Sequence, residues 1–543
     1  MKNNLIKAIA VPAAAILLGV SCTKKIDDAY QNPNATVRVP VETLLPNIIA
    51  NMAIHHTANG TLYGPQNDGL YIGRYVQYWA TNTTLNQYDR MGGATSNSDI
   101  LGSVWAAHYF GQGENLNKMV EWGAEEEKWD YVGVGLAIRA WSWLSLTSVY
   151  GEVILNQAFD KSRLVFEYDE QAEVYAEVRR LAHLALSYLE RTDGAVSQAN
   201  LALGDEWMNG GDREKWKKFA YGVLARSFNH LSRKTEYNPD SVIYYADRSA
   251  LVNADNSSVK WSNAGNTGTY SYYSPFRGNV GTLRQTRFIA DLMSGINGAF
   301  PTAVVDPRAP YIIRENPNGT YKGVRPNKGT DGLAVADRPD NFWGGLWEVT
   351  AAPANDNNSR YIFKNAPIWP VITAAEMKFN KAEAYYYKNM KQEARTAYLE
   401  GLKLHFNELR TNYEVSVPDA KKITQTAEDT YLANPLVVPA ANDLTLSHIM
   451  LQKYIAMYGW GMLETWVDLR KYHYTDEVNG LQVYRDFAPP TGADLFTDNN
   501  LKWVYRARPR YNSEYLYNVE ELRRIGALAL DYHTLEQWFS KPD

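Results

Sequence analysis

Two runs hold the residues whose chemistry is most distinctive. Trp261, Tyr270, Tyr272, Tyr273 and Phe276 lie in the first, and Trp343 and Trp347 in the second. Asn263, Asn266, Arg277, Asp340 and Asn341 stand among them. A sugar ring has apolar faces that lie on aromatic rings, and hydroxyls that hydrogen-bond to amide, carboxylate and guanidinium groups. Aromatics interleaved with Asn, Asp and Arg on loops are therefore candidates for a ligand-binding surface. The same rings would also serve to pack those loops onto a scaffold. Asn82, Asn86 and Tyr88 form a second, smaller cluster of the same kind.

Catalytic patterns are absent. The nine His are scattered, and His55-His56, being adjacent, point to different sides of a helix. There is no HExxH, no GxSxG and no phosphate-binding loop. Gly111-Gln112-Gly113 lacks the third Gly of a dinucleotide fingerprint. Cys22 is the single Cys, which rules out Cys-based zinc sites and internal disulfides. A glycosidase pair drawn from the 60 carboxylates would be invisible in one dimension. The expectation is a non-enzyme with no cofactor. Asn355-Asp356-Asn357-Asn358 is the one stretch that could hold a structural calcium ion, but it lacks the EF-hand pattern. A net charge of -5 and a pI near 6.1 argue against a nucleic-acid partner.

These residues need a scaffold, and the rest of the chain supplies helices. The run GVGLAIRAWSWLSLTSVYGEVIL (133–155) is apolar almost all round, the mark of a helix buried in a large core. Arg139 in its middle demands a partner, and Gly151 reads as its terminator. Helical periodicity also appears at 44–55, 105–122, 174–189, 216–231, 374–388 and 391–406, with a long helix at 444–470. Tyr71, Tyr75, Tyr78 and Trp79 share one helical face, and Asp169 reads as an N-cap. Between about 250 and 370 the periodicity gives way to Gly, Asn, Pro, Thr and aromatics, with short strands and a helix near 287–295 expected. The fold class is mostly α: about four antiparallel helix pairs of tetratricopeptide size, without that motif's sequence signature, and a long irregular loop-rich insertion carrying a few short strands.

The first 21 residues read as an export signal, with Lys2 and Lys7 before an apolar run too short to span a bilayer. Ser21-Cys22 follows Leu17-Leu18-Gly19-Val20 as in a bacterial lipobox, so Cys22 is the expected lipid-attachment residue. Residues 22–43 read as a tether, and 44–543 as one domain with a helical scaffold at about 44–235 and 372–475.

The ordered motifs resemble SusD/RagB-like outer-membrane nutrient-binding lipoproteins of Bacteroidetes type, in the branch with an extended N-terminus. The resemblance runs from Cys22 nearly to the end. It is carried by Arg139-Ala140 with Tyr150-Gly151-Glu152, and by Glu167-Tyr168-Asp169 with Val174-Tyr175. Asp212, Lys215-Trp216, Phe219 and Leu224-Ala225-Arg226 continue it, then Asp306-Pro307-Arg308 and Glu376, Phe379, Ala382 and Glu383. Gln452-Lys453-Tyr454, Glu464, Trp466, Asp468-Leu469-Arg470 and Arg508-Pro509-Arg510-Tyr511 with Glu514 complete the series. Lys471 stands where the family has a second Arg. The resemblance implies a surface-exposed, lipid-anchored outer-membrane protein. It would bind a glycan, or in some members a peptide, and deliver it to a SusC-like TonB-dependent barrel. It makes Arg139, Glu376 and Arg470 architectural, with Arg139 paired to Glu376 or Glu383. A glycoside hydrolase lipoprotein is the reading from another class.

Overall fold

The computed structural model of the protein describes residues 38–57, 68–84, 89–92, 101–262, 271, 283–340 and 359–543. The chain opens with α1 (Leu45–Thr57) and α2 (Asp68–Tyr75), then strand β1 (Trp79–Thr81). Helices α3 (Gly113–Glu125), α4 (Trp129–Tyr150) and α5 (Gln171–Leu189) follow. Next come α6 (Arg213–Asn229) and α7 (Pro239–Ala246). Strands β2 (Ser257–Lys260) and β3 (Leu283–Gln285), the short helix α8 (Arg287–Met293) and β4 (Ile368–Ile372) separate this block from the next. Helices α9 (Ala374–Tyr387) and α10 (Lys391–Asn412) form a hairpin, and α11 (Leu446–Ala456) and α12 (Met462–Lys471) complete the scaffold.

Each helix packs on the next, as in a solenoid: α3 on α4, α4 on α5, α5 on α6, α6 on α7, α7 on α9, and α9 on both α10 and α11. The sheets are three antiparallel two-stranded ladders, and none among the described residues closes. The mostly α, helix-pair fold class is thus the one observed.

The apolar run became α4, buried from Asp130 to Tyr150. It is long and apolar enough to cross a membrane, yet it lies wholly inside the protein. Gly133 lets α5 approach, since a Cβ there would sit 2.6 Å from Leu189. Gly151 ends the helix at a φ of +86°, and a Cβ there would press on the Arg506 guanidinium at 3.1 Å. That guanidinium pairs with Glu152.

Six side-chain pairs lock the helices in register. Arg226 of α6 holds Glu376 of α9 through two bonds, at 2.6 and 2.7 Å. His230 of α6 meets Glu464 of α12 at 2.8 Å and Tyr175 of α5 at 2.8 Å. Lys453 of α11 pairs with Asp468 of α12 at 2.6 Å, and Lys471 bridges Asp468 and Glu383 of α9, each at 3.0 Å. Burial alone would raise the Glu464 carboxyl, but His230 and Arg226 outweigh it and hold it well below the usual range. Lys453 and Lys471 do the same for Asp468.

Several expectations require correction. Arg139 pairs with neither Glu376 nor Glu383, because both lie on α9 while Arg139 faces α3. Its Nη2 donates to the Gly113 carbonyl at 2.6 Å and to Asn117, and it sits 4.9 Å from the Phe159 ring. Without a carboxylate, burial pushes its pKa down to about 10. Arg470 likewise uses carbonyls, those of Trp466 (3.0 Å) and Tyr505 (2.8 Å), and stacks on Trp466. The expected long helix at 444–470 breaks into α11 and α12, where Gly459 takes a φ of +82°. The helical face at 71–79 stops at Tyr75, since Gln77 takes a φ of +63° and Trp79 enters β1. Asp169 accepts the Leu155 amide at 2.7 Å instead of capping α5, which starts after Glu170.

Two outcomes follow from this packing. Glu376→Gln strands a buried guanidinium and is expected to lower stability by about 3–5 kcal/mol in denaturant titration, whereas the double change Arg226→Met with Glu376→Leu recovers most of that loss. His473 contacts Asp476 at 2.8 Å and Glu536 at 3.3 Å, and these carboxylates raise its pKa to about 9 from 6.5. Its contribution is therefore complete below about pH 6.5 and is lost as the pH climbs through about 9. Melting curves from pH 6 to 10 should fall by roughly 2 kcal/mol more for the native chain than for His473→Gln.

Candidate functional site

The aromatic run that begins at Trp261 is rooted on the β2–β4 ladder, where Val259 faces Trp369 and Lys260 faces Ile368. Trp261 is half-buried just past β2 and lines a pocket of about 200 Å³ with Trp207, Pro46, Ile49 and Val259. Its indole N–H is buried and meets no acceptor among the described residues. Lys260 stands exposed at the rim. Two indoles, a proline and aliphatic groups form an apolar wall, and the Lys260 ammonium offers donors beside it. That combination suits a sugar ring with its hydroxyls.

Trp207 is held in place by the turn that precedes α6. The Asp205 carboxylate accepts the amides of Asn209 (3.1 Å) and Gly211 (2.8 Å) and the Trp216 indole (2.7 Å). Burial pushes the Asp205 carboxyl up to about 6, with those donors opposing the shift. Gly211 is required there, since a Cβ would lie 2.5 Å from the Ala202 amide. The Asn209 side chain accepts the Ser257 hydroxyl at 3.2 Å, and the Lys260 amide donates to the Trp207 carbonyl at 2.8 Å. The turn and β2 therefore form one rigid wall under the two indoles.

Of the residues singled out in the sequence, the structure places Trp261 in a pocket and two others at the roots of loops. Asp340 lies 3.7 Å from Arg314, and Asn82 accepts the Thr330 amide through its carbonyl at 3.2 Å. The β1–β3 ladder pairs Thr81 with Leu283, so the chain leaving β1 and the chain entering β3 meet at one end. Ser271 is pinned to the carbonyls of Asn365 and Lys364, each at 2.8 Å. Tyr270, Tyr272, Tyr273, Phe276, Arg277, Asn341, Trp343, Trp347, Asn263, Asn266, Asn86, Tyr88 and Cys22 lie outside the described residues, as does the 355–358 stretch. Trp207 escaped the sequence reading. Its signal was a Trp in a Gly-rich turn, outside any helical stripe.

Among the described residues no group of three or more His, Cys, Asp or Glu is placed to hold a metal ion. The buried acids and bases of the scaffold face one another and not solvent. Asp306 and Arg308 pair at 2.6 Å, and Arg308 also donates to Gln452 of α11 at 2.6 Å, which makes that motif a structural knot.

Comparison with known proteins bears on the family and the fold. Residues 33–481 match the SusD-like family described as starch-binding and associating with the outer membrane. No curated protein matches the chain. Among solved structures, a SusD/RagB family protein from Bacteroides thetaiotaomicron superposes with a TM-score of 0.67 at 16% identity, covering 93% of this chain and 100% of that one. A SusD homologue from Parabacteroides distasonis gives 0.67 at 17%, covering 93% and 98%. A chitin-binding SusD homologue from Flavobacterium johnsoniae gives 0.63 at 16%, covering 92% and 98%. At these identities the structural likeness concerns the fold, and the family is carried by the match over most of the sequence. The chain belongs to the SusD-like family of outer-membrane-associated, nutrient-binding proteins.

Proposed function

We propose that this protein is a cell-surface lipoprotein, anchored through Cys22, that captures an oligosaccharide and passes it to a SusC-like TonB-dependent barrel. The observation that carries the ligand assignment is the pocket of Trp207 and Trp261, two indoles in an apolar wall with the exposed Lys260 ammonium at its rim. Names borne by structures of the same fold point the same way, since one is a chitin-binding protein from Flavobacterium johnsoniae. Delivery to a barrel, lipid attachment and surface exposure come to this chain from the family resemblance and the lipobox at Cys22.

Binding is favoured over hydrolysis by the state of the carboxylates. Retaining and inverting glycosidases need two carboxyl groups free to face the scissile bond. In a cleft of about 590 Å³ beside α8, Asp291 is tied to Arg287 at 3.0 Å, Asp494 to Lys328 at 2.6 Å, and Asp486 to the Gly298 amide at 2.6 Å and Arg485 at 3.5 Å.

Calorimetry of the chain lacking residues 1–22, against oligosaccharides from starch and chitin and against peptides, tests the ligand. A glycan is expected to bind, and Trp207→Ala or Trp261→Ala to weaken it by roughly tenfold with little change in melting temperature. Peptide binding without any glycan binding would overturn the assignment. Cys22→Ala is expected to move the chain from the membrane fraction to the soluble fraction on ultracentrifugation.

A further inference from the structure

At the end of the β1–β3 ladder where Trp79 faces Gln285, a cleft of about 590 Å³ opens between α8, the turn at 325–328 and the segment 486–494. Its walls are fixed from behind. Arg325-Pro326-Asn327-Lys328 is a type II turn: the Lys328 amide donates to the Arg325 carbonyl at 3.1 Å, proline occupies the second position and Asn327 takes a φ of +63°. The Asn327 side-chain amide donates to the Asp494 carbonyl and so pins the turn to the opposite wall. Gln77 donates to the Ala488 carbonyl at 2.6 Å, and the Trp503 indole to the Pro490 carbonyl at 3.1 Å, which holds the Pro489-Pro490 wall. A preorganised cleft of this size binds a ligand without first having to order its own loops.

Arg287, Arg325 and Lys328 line this cleft with Asp291, Asp486 and Asp494, three cations and three carboxylates, and Arg485 adjoins Asp486 from outside the lining. Arg287 holds Asp291 at 3.0 Å and Lys328 holds Asp494 at 2.6 Å. Asp486 accepts the Gly298 amide at 2.6 Å and lies 3.5 Å from Arg485. Arg325 is the cation left over. It is exposed and has no carboxylate partner among the described residues. Ile296, Pro326 and Pro489 line the same cleft and offer apolar surface. Such a cleft asks for a ligand with one carboxylate and an apolar ring face.

We propose that this cleft is a second saccharide site, distinct from the Trp207–Trp261 pocket, that takes an acidic sugar. The carboxylate of a uronic acid residue lies on the Arg325 guanidinium, whose planar fork matches a carboxylate through two parallel hydrogen bonds. The sugar ring rests on Pro489 and Ile296, and the Asp486 and Asp494 carboxylates accept its hydroxyls. The inference rests on the glycan-binding reading above and adds to it a charge class of substrate.

Calorimetry of the chain lacking residues 1–22 with a galacturonic acid oligomer, a neutral galactose oligomer of equal length and an acidic N-acetylated dipeptide tests it. The uronic acid oligomer is expected to bind, more weakly as salt is raised. Arg325→Gln should reduce that affinity by about tenfold or more, and Arg325→Lys by less, because charge remains while the fork is lost. Arg325 is exposed, so unchanged melting temperatures will show that both variants fold. Trp261→Ala should leave uronate binding intact. Uronate binding that Arg325→Gln does not weaken, or failure of the uronate while starch or chitin oligosaccharides bind in a Trp261-dependent way, overturns this inference and leaves the glycan reading standing. Failure of every sugar, acidic and neutral, overturns both. Arg325-dependent binding of the dipeptide without uronate binding overturns the sugar assignment in favour of a peptide.

Discussion

The structure depends on a set of charges buried where helices α5, α6, α9, α11 and α12 converge. Arg226, Lys453 and Lys471 face Glu376, Glu383, Glu464 and Asp468, with His230 and Tyr175 inserted between them. Taking these groups out of water is expensive, and only close, bidentate and shared contacts offset that expense. Each member therefore constrains its partners to within a few tenths of an ångström. Apolar helix faces can slide along one another at little cost, but these cannot. The network fixes the rotation and register of helices that are far apart in sequence, which an apolar core of similar volume would leave less defined.

That rigidity explains how loops on this scaffold can carry recognition. Trp207 sits in a turn whose Asp205 is bonded to the first buried Trp of α6, and α6 in turn carries Arg226. Trp261 follows a strand paired with β4, which leads directly into α9 and Glu376. The two indoles of the pocket are therefore tied to the two ends of one ion pair. The Arg325 cleft is built by the same logic from smaller pieces: a proline turn, a pinned Asn327 and a proline pair held by Gln77 and Trp503. In both places the polar groups of the backbone are satisfied from behind, so the exposed side chains remain available to a ligand.

Charge placement separates scaffold from surface. In the scaffold, buried cations such as Arg226, Lys453 and Lys471 are matched with carboxylates, whereas Arg139 and Arg470 use carbonyls and aromatic faces. A guanidinium suits that second use because it is planar and weakly hydrated. Arg139 shows the limit of reasoning from charge alone. The expectation that a buried Arg needs a carboxylate was sound physics, yet the acceptors at hand in the folded chain were a helix-end carbonyl, an Asn and a Phe ring.

Local pattern decided a good deal on its own. An apolar run with one charge in it must leave water, and 133–150 did so inside the protein as the core helix α4. Stripes at three- and four-residue spacing marked α5, α6, α9 and α10, and Gly151 and Asp212 marked ends. Loss of that periodicity located the insertion and Trp261 within it. These features depend on residues close in sequence, and short-range physics governs them. What only the tertiary structure decided is which distant groups meet: Arg226 with Glu376, Trp207 with Trp261, and Arg325 with a wall of prolines more than a hundred residues away. The break at Gly459 and the strand at Trp79 belong here too, because packing overrode a helical pattern that was locally adequate. Such pairings are set by the geometry of the whole solenoid, and no spacing along the chain encodes them.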